Sequence, residues 1–390
     1  KIAEARPKTA EKLKAKGLLV KIEENYDHKI AVCYKCSQPI EPQVLPQWFL
    51  KMRPLAQKAI EAVEKGRITF VPARFKKVYL HWLRNIRDWN LSQQITWGIR
   101  IPAWFKGNEA YVGMAPPKEE GWTQDEDVFT TWFSSGQWPF LALGYPDSRD
   151  YKTFYPTDVM ETGWDILFFW VARMVMLGLA RTGKVPFKTV YLHGLVRDKD
   201  WQKMSKSKGN VIDPLGVAEL YGTDAVRMAL TIGNLPGNDI IISEEKIRGY
   251  RNFANKIWNA TRFLLMQVPE ARDAAKIRSP KSDAAMRAKL KQLVRHTTAD
   301  IEKFRFHHAA ERLYHFFWHC YADKVIEELK PRLAGERGSA EKKAAQALLL
   351  EFHTTLIRLL HPFMPFITEE VWQHLPIKNK KLLMVEQWPQ

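Results

Sequence analysis

At about residue 244 the hydrophobic pattern of this chain changes period, and that change constrains the fold more than any other feature. Over residues 72–242 short apolar runs alternate with helical repeats; beyond them long helical repeats follow one another with no strand between. Strands repeat every two residues and helices every 3.6, so the two regimes in succession imply a mixed α/β layer followed by an all-α bundle. The 390 residues exceed what one hydrophobic core usually supports and agree with two or three domains.

In the first regime, VYLHGLV (190–196) reads as a buried parallel strand ending in His-Gly. KVYLHWLRNIRDW (77–89) reads as a helix with Val78, Leu80, Leu83 and Ile86 near one face. PLAQKAIEAVEKG (54–66) is an amphipathic helix stopped by Gly66, and RITFVPARF (67–75) returns as a strand. Ahead of these the pattern predicts a basic helix around Ala10–Lys16, strands in LLVKI (18–22) and KIAVCY (29–34), and a proline-rich turn. Asp213-Pro214 supplies an N-cap and a first-turn proline for LGVAELY; Gly222 ends that helix and Thr223 is expected to cap the next.

In the second regime, residues 247–268 place apolar side chains at 247, 250, 254, 257, 258, 261, 264, 265 and 268. Arg248, Arg251, Asn252, Asn255, Asn259 and Arg262 fall within an arc of about 100° on the opposite side. Further helical repeats cover 285–304, 309–329 and 341–360, so a bundle of four or five helices is expected.

Lys and Arg number 60 against 43 Asp and Glu, a formal charge of +17 that points to a polyanionic partner. No apolar run has the roughly 18–20 residues of a spanning helix, and ILFFWVARMVMLGLA (166–180) carries Arg173, so a buried helix is expected and no membrane partner. Three cysteines make no disulfide framework, which predicts a reducing, cytoplasmic setting. Cys33 and Cys36 form one CxxC with His28 nearby; a tetrahedral zinc usually needs two such pairs, so a plain turn competes with half of a knuckle, and no metal ligand is assigned.

Between the His-Gly strand end and the Asp213 cap lies KMSKSKGN (203–210). Lysines are movable point charges suited to phosphate oxygens, and Ser and Gly keep the loop pliable. A basic octamer alone is usually a solvated turn. This one follows a parallel strand and precedes a capped helix, the place where open α/β sheets bind ligands.

KMSKSKGNVIDP resembles the KMSKS signature of the class I aminoacyl-tRNA synthetases. In order along the chain, RNIRDWNLSQQITWGIRIPAWF (84–105), DVFTTWFSSGQWPF (127–140), FYPTDVMETGWDILFFWVARMVMLGL (154–179), VYLHGLVRD (190–198) and YGTDAVRMAL…LPGNDI (221–240) resemble the valyl-tRNA synthetases. The resemblance implies the second half of a Rossmann-like nucleotide-binding domain followed by a helical anticodon-binding domain. Its implied boundaries are 1–71 for the distal tail of an inserted editing domain, 72–210 for the catalytic half, 211–243 for a stem-contact region and 244–390 for the bundle. It implies a ligase that activates valine with ATP, assisted by Mg2+, and transfers it to tRNA.

In that family Lys203 and Lys206, with Ser205 and Ser207, would meet the ATP phosphates and the departing pyrophosphate. Gly163 and Asp165 of TGWD, with His193 and Gly194, would lie at the adenosine. Trp89 and Trp132 would wall the amino-acid pocket, and the Arg/Asn face would bind tRNA. Each has a structural alternative: core tryptophans, a helix-capping Asp165, a satisfied strand-end His193, an ordinary solvated face. The family's HIGH motif is not found; YLHW and YLHG lack its spacing and setting. The expectation is therefore a monomeric fragment lacking the amino-terminal half, or one product of a split gene, with little adenylation activity alone. A non-catalytic tRNA-binding module and an isoleucyl or leucyl sibling are the alternatives.

Overall fold

The computed structural model describes residues 2–27, 29–33, 36–40, 43–198, 200–202, 204, 209, 212–268 and 283–390. It divides into two compact units, Lys1–Trp48 and Phe49–Gln390. The first contains α1 (Ile2–Ala15) and an otherwise irregular chain. The strands expected at 18–22 and 29–34 do not form among its described residues; one isolated bridge, Val32 to Pro39, is present. Leu18, Val20, Ile22 and Ile30 are exposed, and without a neighbouring strand their β-propensity has nothing to pair or pack against. Cys33 and Cys36 lie on a turn in which Ser37 N–H donates to Cys33 O; His28 lies outside the described residues.

In the second unit α2 (Arg53–Glu64), β1 (Thr69–Val71) and α3 (Arg74–Arg84) lead into a three-stranded parallel sheet. Its other strands are β2 (Thr157–Gly163) and β3 (Phe187–His193), in the order β1–β3–β2. Parallel strands are buried on both faces. Val190 and Leu192 face a core built with Ala59, Val63, Phe70, Tyr79, Leu83, Val171 and Val175. Tyr191 packs on the other side against the rings of Phe304 and Phe306 from the helical region. Residues 49–71, grouped by sequence with the preceding segment, thus pack as part of the α/β layer.

The helix expected at 77–89 stops at Arg84, and Trp89–Asn90 pairs antiparallel with Phe49–Leu50. Asp88 turns away to accept the Met52 N–H at the start of α2. Val78 faces solvent, and Tyr79 takes the buried place beside Leu80 and Leu83. The apolar run after β2 begins as a tight turn (Trp164–Ile166), continues π-helical (Leu167–Ala172) and becomes α4 (Arg173–Thr182), which ends on left-handed Gly183.

Asp213 caps α5 (Pro214–Tyr221) as expected, its carboxylate accepting the Leu215 and Gly216 N–H groups. The cap of α6 (Thr223–Thr231) is Gly222 rather than Thr223, because the chain turns there at φ +90°. Ser243 caps α7 (Glu244–Gln267), and α8 (Ala284–Glu302) follows. Next come α9 (Phe306–His315), a π-helical stretch (Phe316–Val325) and α10 (Ile326–Ala334), one continuous rod. Then α11 (Ala340–Leu360) and α12 (Pro365–His374) close the bundle.

The bundle core gathers Phe253, Ile257, Leu264, Leu293, Leu313, Phe317, Leu348, Phe352, Leu356 and Trp372. Phe253 replaces Trp258 on the buried stripe; Trp258 is exposed. Asp224 and Arg227 of α6 fasten the layers together. Asp224 accepts the Phe366 and Ile367 N–H groups at the first turn of α12, and Arg227 donates to the Pro362 and Phe363 carbonyls. No helix among the described residues is long and apolar enough to cross a membrane.

Candidate nucleotide crevice and RNA-facing helix

The parallel register sets His193 directly beside Gly163, so HG and TGWD, distant in sequence, meet at one end of the sheet. Ligands bind open α/β sheets at such carboxyl ends. Gly163 is buried, and a Cβ there would lie 2.7 Å from Asp165 Oδ1, so glycine lets the following turn fold back closely. Asp165 sits inside that turn, one residue past its first position, rather than at the N-cap. His193 Nδ1 is 2.7 Å from the Gly194 carbonyl, an acceptor only, so this nitrogen carries the proton; Nε2 is 3.2 Å from Glu161 Oε1.

Gly194, expected at the adenosine, has a packing reason to be glycine. A Cβ there would fall 1.7 Å from the Asn238 carbonyl oxygen, so residue 194 must be glycine for segment 237–240 to lie against it. Gly237 N–H donates to Leu192 O, and Ile240 N–H to Leu195 O, which extends the sheet past β3. A cleft of about 560 Å³ opens beside this joint, between Glu161, Tyr191 and His193 on one side and Asn234, Phe306 and Phe363 on the other. Asn234 Oδ1 is buried there without a hydrogen-bond partner.

Trp89 and Trp132 lie far apart in sequence and are joined by two side chains from one helix. The Arg173 guanidinium stands 3.7 Å over the Trp89 ring, and Phe169 stacks on Trp132 at 5.9 Å between centroids. Burial among these rings pushes the Arg173 guanidinium down to about 10. A cavity of about 460 Å³ adjoins Trp89, Arg173, Phe169, Trp82 and Met176; Trp132 does not line it. Both tryptophans are half-buried rather than core residues.

All six residues of the predicted polar face, Arg248, Arg251, Asn252, Asn255, Asn259 and Arg262, are exposed along α7. Lys203, Ser205, Lys206 and Ser207 lie outside the described residues. One metal-like group appears among the described residues, His307, His308 and Glu311. His307 Nδ1 accepts the Gly233 N–H, which leaves a protonated Nε2 facing Glu311. The Nε2–Oε2 separation there is 3.6 Å, an ion-pair distance rather than a hydrogen bond.

Sequence reasoning missed Asp239, Trp164 and Arg197, although all three fall inside the quoted blocks. Asp239 lies between β3 and α7 and accepts from Trp164 and from Leu195 N–H. Nothing in a linear pattern marks a carboxylate whose partners lie some 40 and 75 positions away.

Comparison with known proteins identifies the family. Residues 10–121 and 114–243 match the model for tRNA synthetases class I (I, L, M and V), and residues 283–390 match that for the anticodon-binding domain of tRNA ligase. A valine–tRNA ligase of Solibacter usitatus is 49% identical over 99% of this chain, and that of Bacillus subtilis 45% over 99%. The chain spans 45% and 44% of those relatives, less than half their length. A methionyl-tRNA synthetase of Mycobacterium tuberculosis in complex with methionyl-adenylate superposes with a TM-score of 0.72 at 20% identity, over 91% of this chain and 68% of that one. A leucyl-tRNA synthetase of Agrobacterium radiobacter in a ternary complex gives 0.65 at 22%, over 78% and 42%. With the class I model matched across more than half of its residues, this chain belongs to the class I tRNA synthetase family.

Proposed function

We propose that this chain is part of a valine–tRNA ligase, carrying half of its nucleotide cradle and its anticodon-binding bundle. The observation that carries the reading is the register of β2 against β3, which sets Gly163 and Asp165 beside His193 where an α/β sheet receives a nucleotide. The relatives, at 45–49% identity across nearly the whole chain, favour valine over the sibling amino acids. The proposed boundaries are those of the sequence blocks, with residues 49–71 assigned to the catalytic layer.

In the reaction, a valine carboxylate oxygen attacks the α-phosphorus of ATP and pyrophosphate leaves; the valyl group then passes to the terminal ribose of tRNA. Asp165 is suited to accept hydrogen bonds from the ribose hydroxyls, and Gly163 lets the backbone approach the nucleotide. Lys203 and Lys206, supported by Ser205 and Ser207, would neutralise the charge that develops on the β- and γ-phosphates. Mg2+ would arrive with ATP and supply charge neutralisation between phosphate oxygens. Trp89 and Trp132, held by Arg173 and Phe169, present apolar ring faces suited to a small branched side chain. Arg248, Arg251 and Arg262 suit phosphates, and the three asparagines suit unstacked bases.

Among the described residues β2 is bonded on one side only, and Val159 on it and Trp138 beside it are exposed. That edge is where an amino-terminal half would complete the sheet. The test is valine-dependent ATP–pyrophosphate exchange by this chain alone and joined with such a half. Weak exchange alone, strong exchange when joined, and valine preferred over isoleucine and leucine are expected. Tight tRNA binding without exchange in the joined form would favour a non-catalytic tRNA-binding module instead.

A further inference from the structure

We propose that Asp239, paired with Arg197, is a positioning residue that holds the floor of the nucleotide crevice and the exit of the chain toward Lys203. One carboxylate ties together segments from three parts of the sequence. Its Oδ1 accepts the Trp164 indole N–H at 2.9 Å and the Leu195 backbone N–H at 2.8 Å. Its Oδ2 accepts from Arg197 Nε, and Arg197 Nη1 donates in turn to the Trp201 carbonyl at 3.0 Å. Trp164 is the residue between Gly163 and Asp165; Leu195 follows His193-Gly194; Trp201 closes a turn, its N–H bonded to Asp198 O, two residues before Lys203.

The backbone around Asp239 is equally committed. Asn238 presses on Gly194 closely enough to forbid any side chain there, and Arg74 clamps the Gly237 carbonyl and the Asn238 side chain. The Asp239 side chain is 12% exposed. Burial alone would raise its pKa, but the Leu195, Trp164 and Arg197 donors outweigh burial and hold the carboxyl below its ordinary value. An ionised, nearly dry carboxylate whose acceptor sites are spent on two strand-end loops cannot move without moving both. It stands behind these loops rather than beside reacting atoms, so it acts through them.

The proposal rests on the reading of these strand ends as the ATP site, and the test separates the two. In the joined enzyme, Asp239→Asn keeps an oxygen for Trp164 and Leu195 and removes the charge opposite Arg197; Asp239→Ala removes every contact. Losing a charge-assisted hydrogen bond predicts a rise in KM for ATP of about tenfold in the first variant and about a hundredfold in the second. KM for valine and the affinity for tRNA are expected to stay within about twofold, and Arg197→Gln added to Asp239→Asn to cost little more than either alone. Unchanged KM for ATP in Asp239→Asn, at an unchanged melting temperature, would overturn the proposal. So would a parallel loss in ATP, valine and tRNA parameters, the signature of general destabilisation. If Asp239→Ala does not fold, the Asn variant decides by itself. An unsubstituted joined enzyme without exchange removes the reading beneath the proposal, and the proposal with it.

Discussion

The α/β layer and the helical bundle place function in opposite ways. In the bundle, six polar side chains share one face of one helix, and their partners in space are their neighbours in sequence. In the α/β layer, the candidate crevice is assembled from Gly163, His193 and the supporting Asp239, each from a different element. A helical face is additive and tolerant, because each exposed side chain acts nearly alone. A crevice at strand ends is concerted, because one loop's position depends on the others.

The comparison would be sharpened most by Lys206→Ala in the joined enzyme. A lysine acting on departing phosphate is expected to cost about a hundredfold or more in exchange rate, with little change in tRNA affinity. Equal losses in both measurements would make the loop an RNA contact and blur the division between the two regions.

A second, intermediate effect lies inside the bundle. His353 is fully buried between Thr261 and Tyr321. Thr261 Oγ1 donates its one proton to the Ile257 carbonyl, so it must accept from His353 Nε2–H, and Tyr321 O–H donates to Nδ1. Burial pushes the imidazole down to about 3, so the folded state keeps it neutral while the unfolded chain protonates it below about 6.5. This group's stabilisation is therefore present at neutral pH and lost progressively as pH falls from about 6.5 toward 3. Urea unfolding at pH 7 and pH 5 should show a loss about 2 kcal/mol larger in the natural chain than in His353→Leu. An identical pH dependence in both would mean the imidazole is reached by water, and that the bundle is as loosely set as its surface.

The smallest effects are expected on the polar face. Arg251→Ala should weaken tRNA binding by about three- to tenfold and reduce the salt slope by about one, with exchange kinetics unchanged. A collapse of binding on this single change would show that the face is concerted after all, like the crevice.

Much of this difference was already visible in how the residues read. The arc from Arg248 to Arg262 follows from 100° per residue and is exposed as expected; the Asp213-Pro214 cap and the buried β3 also follow from local rules. Errors arose where a local signal had no tertiary counterpart. LLVKI has strand composition but no neighbouring strand. Phe253 and Trp258 are both aromatic, and the helix core accepts the first. Nor does any local pattern mark that residue 194 must be glycine for Asn238 to lie against it.

By itself the sequence determined the change from mixed layer to bundle, the polar helical face, the caps and the order of the family blocks. These rest on short-range periodicity and on residues whose partners lie within a turn or two. Only the tertiary structure decided which strand end meets which, why residue 194 is glycine, how Trp89 and Trp132 are joined through Arg173 and Phe169, and that Asp239 ties two strand-end loops together. Those facts depend on packing between segments tens of residues apart. There a carboxylate's partners are chosen by burial and hydrogen-bond demand, and sequence spacing carries no trace of the choice.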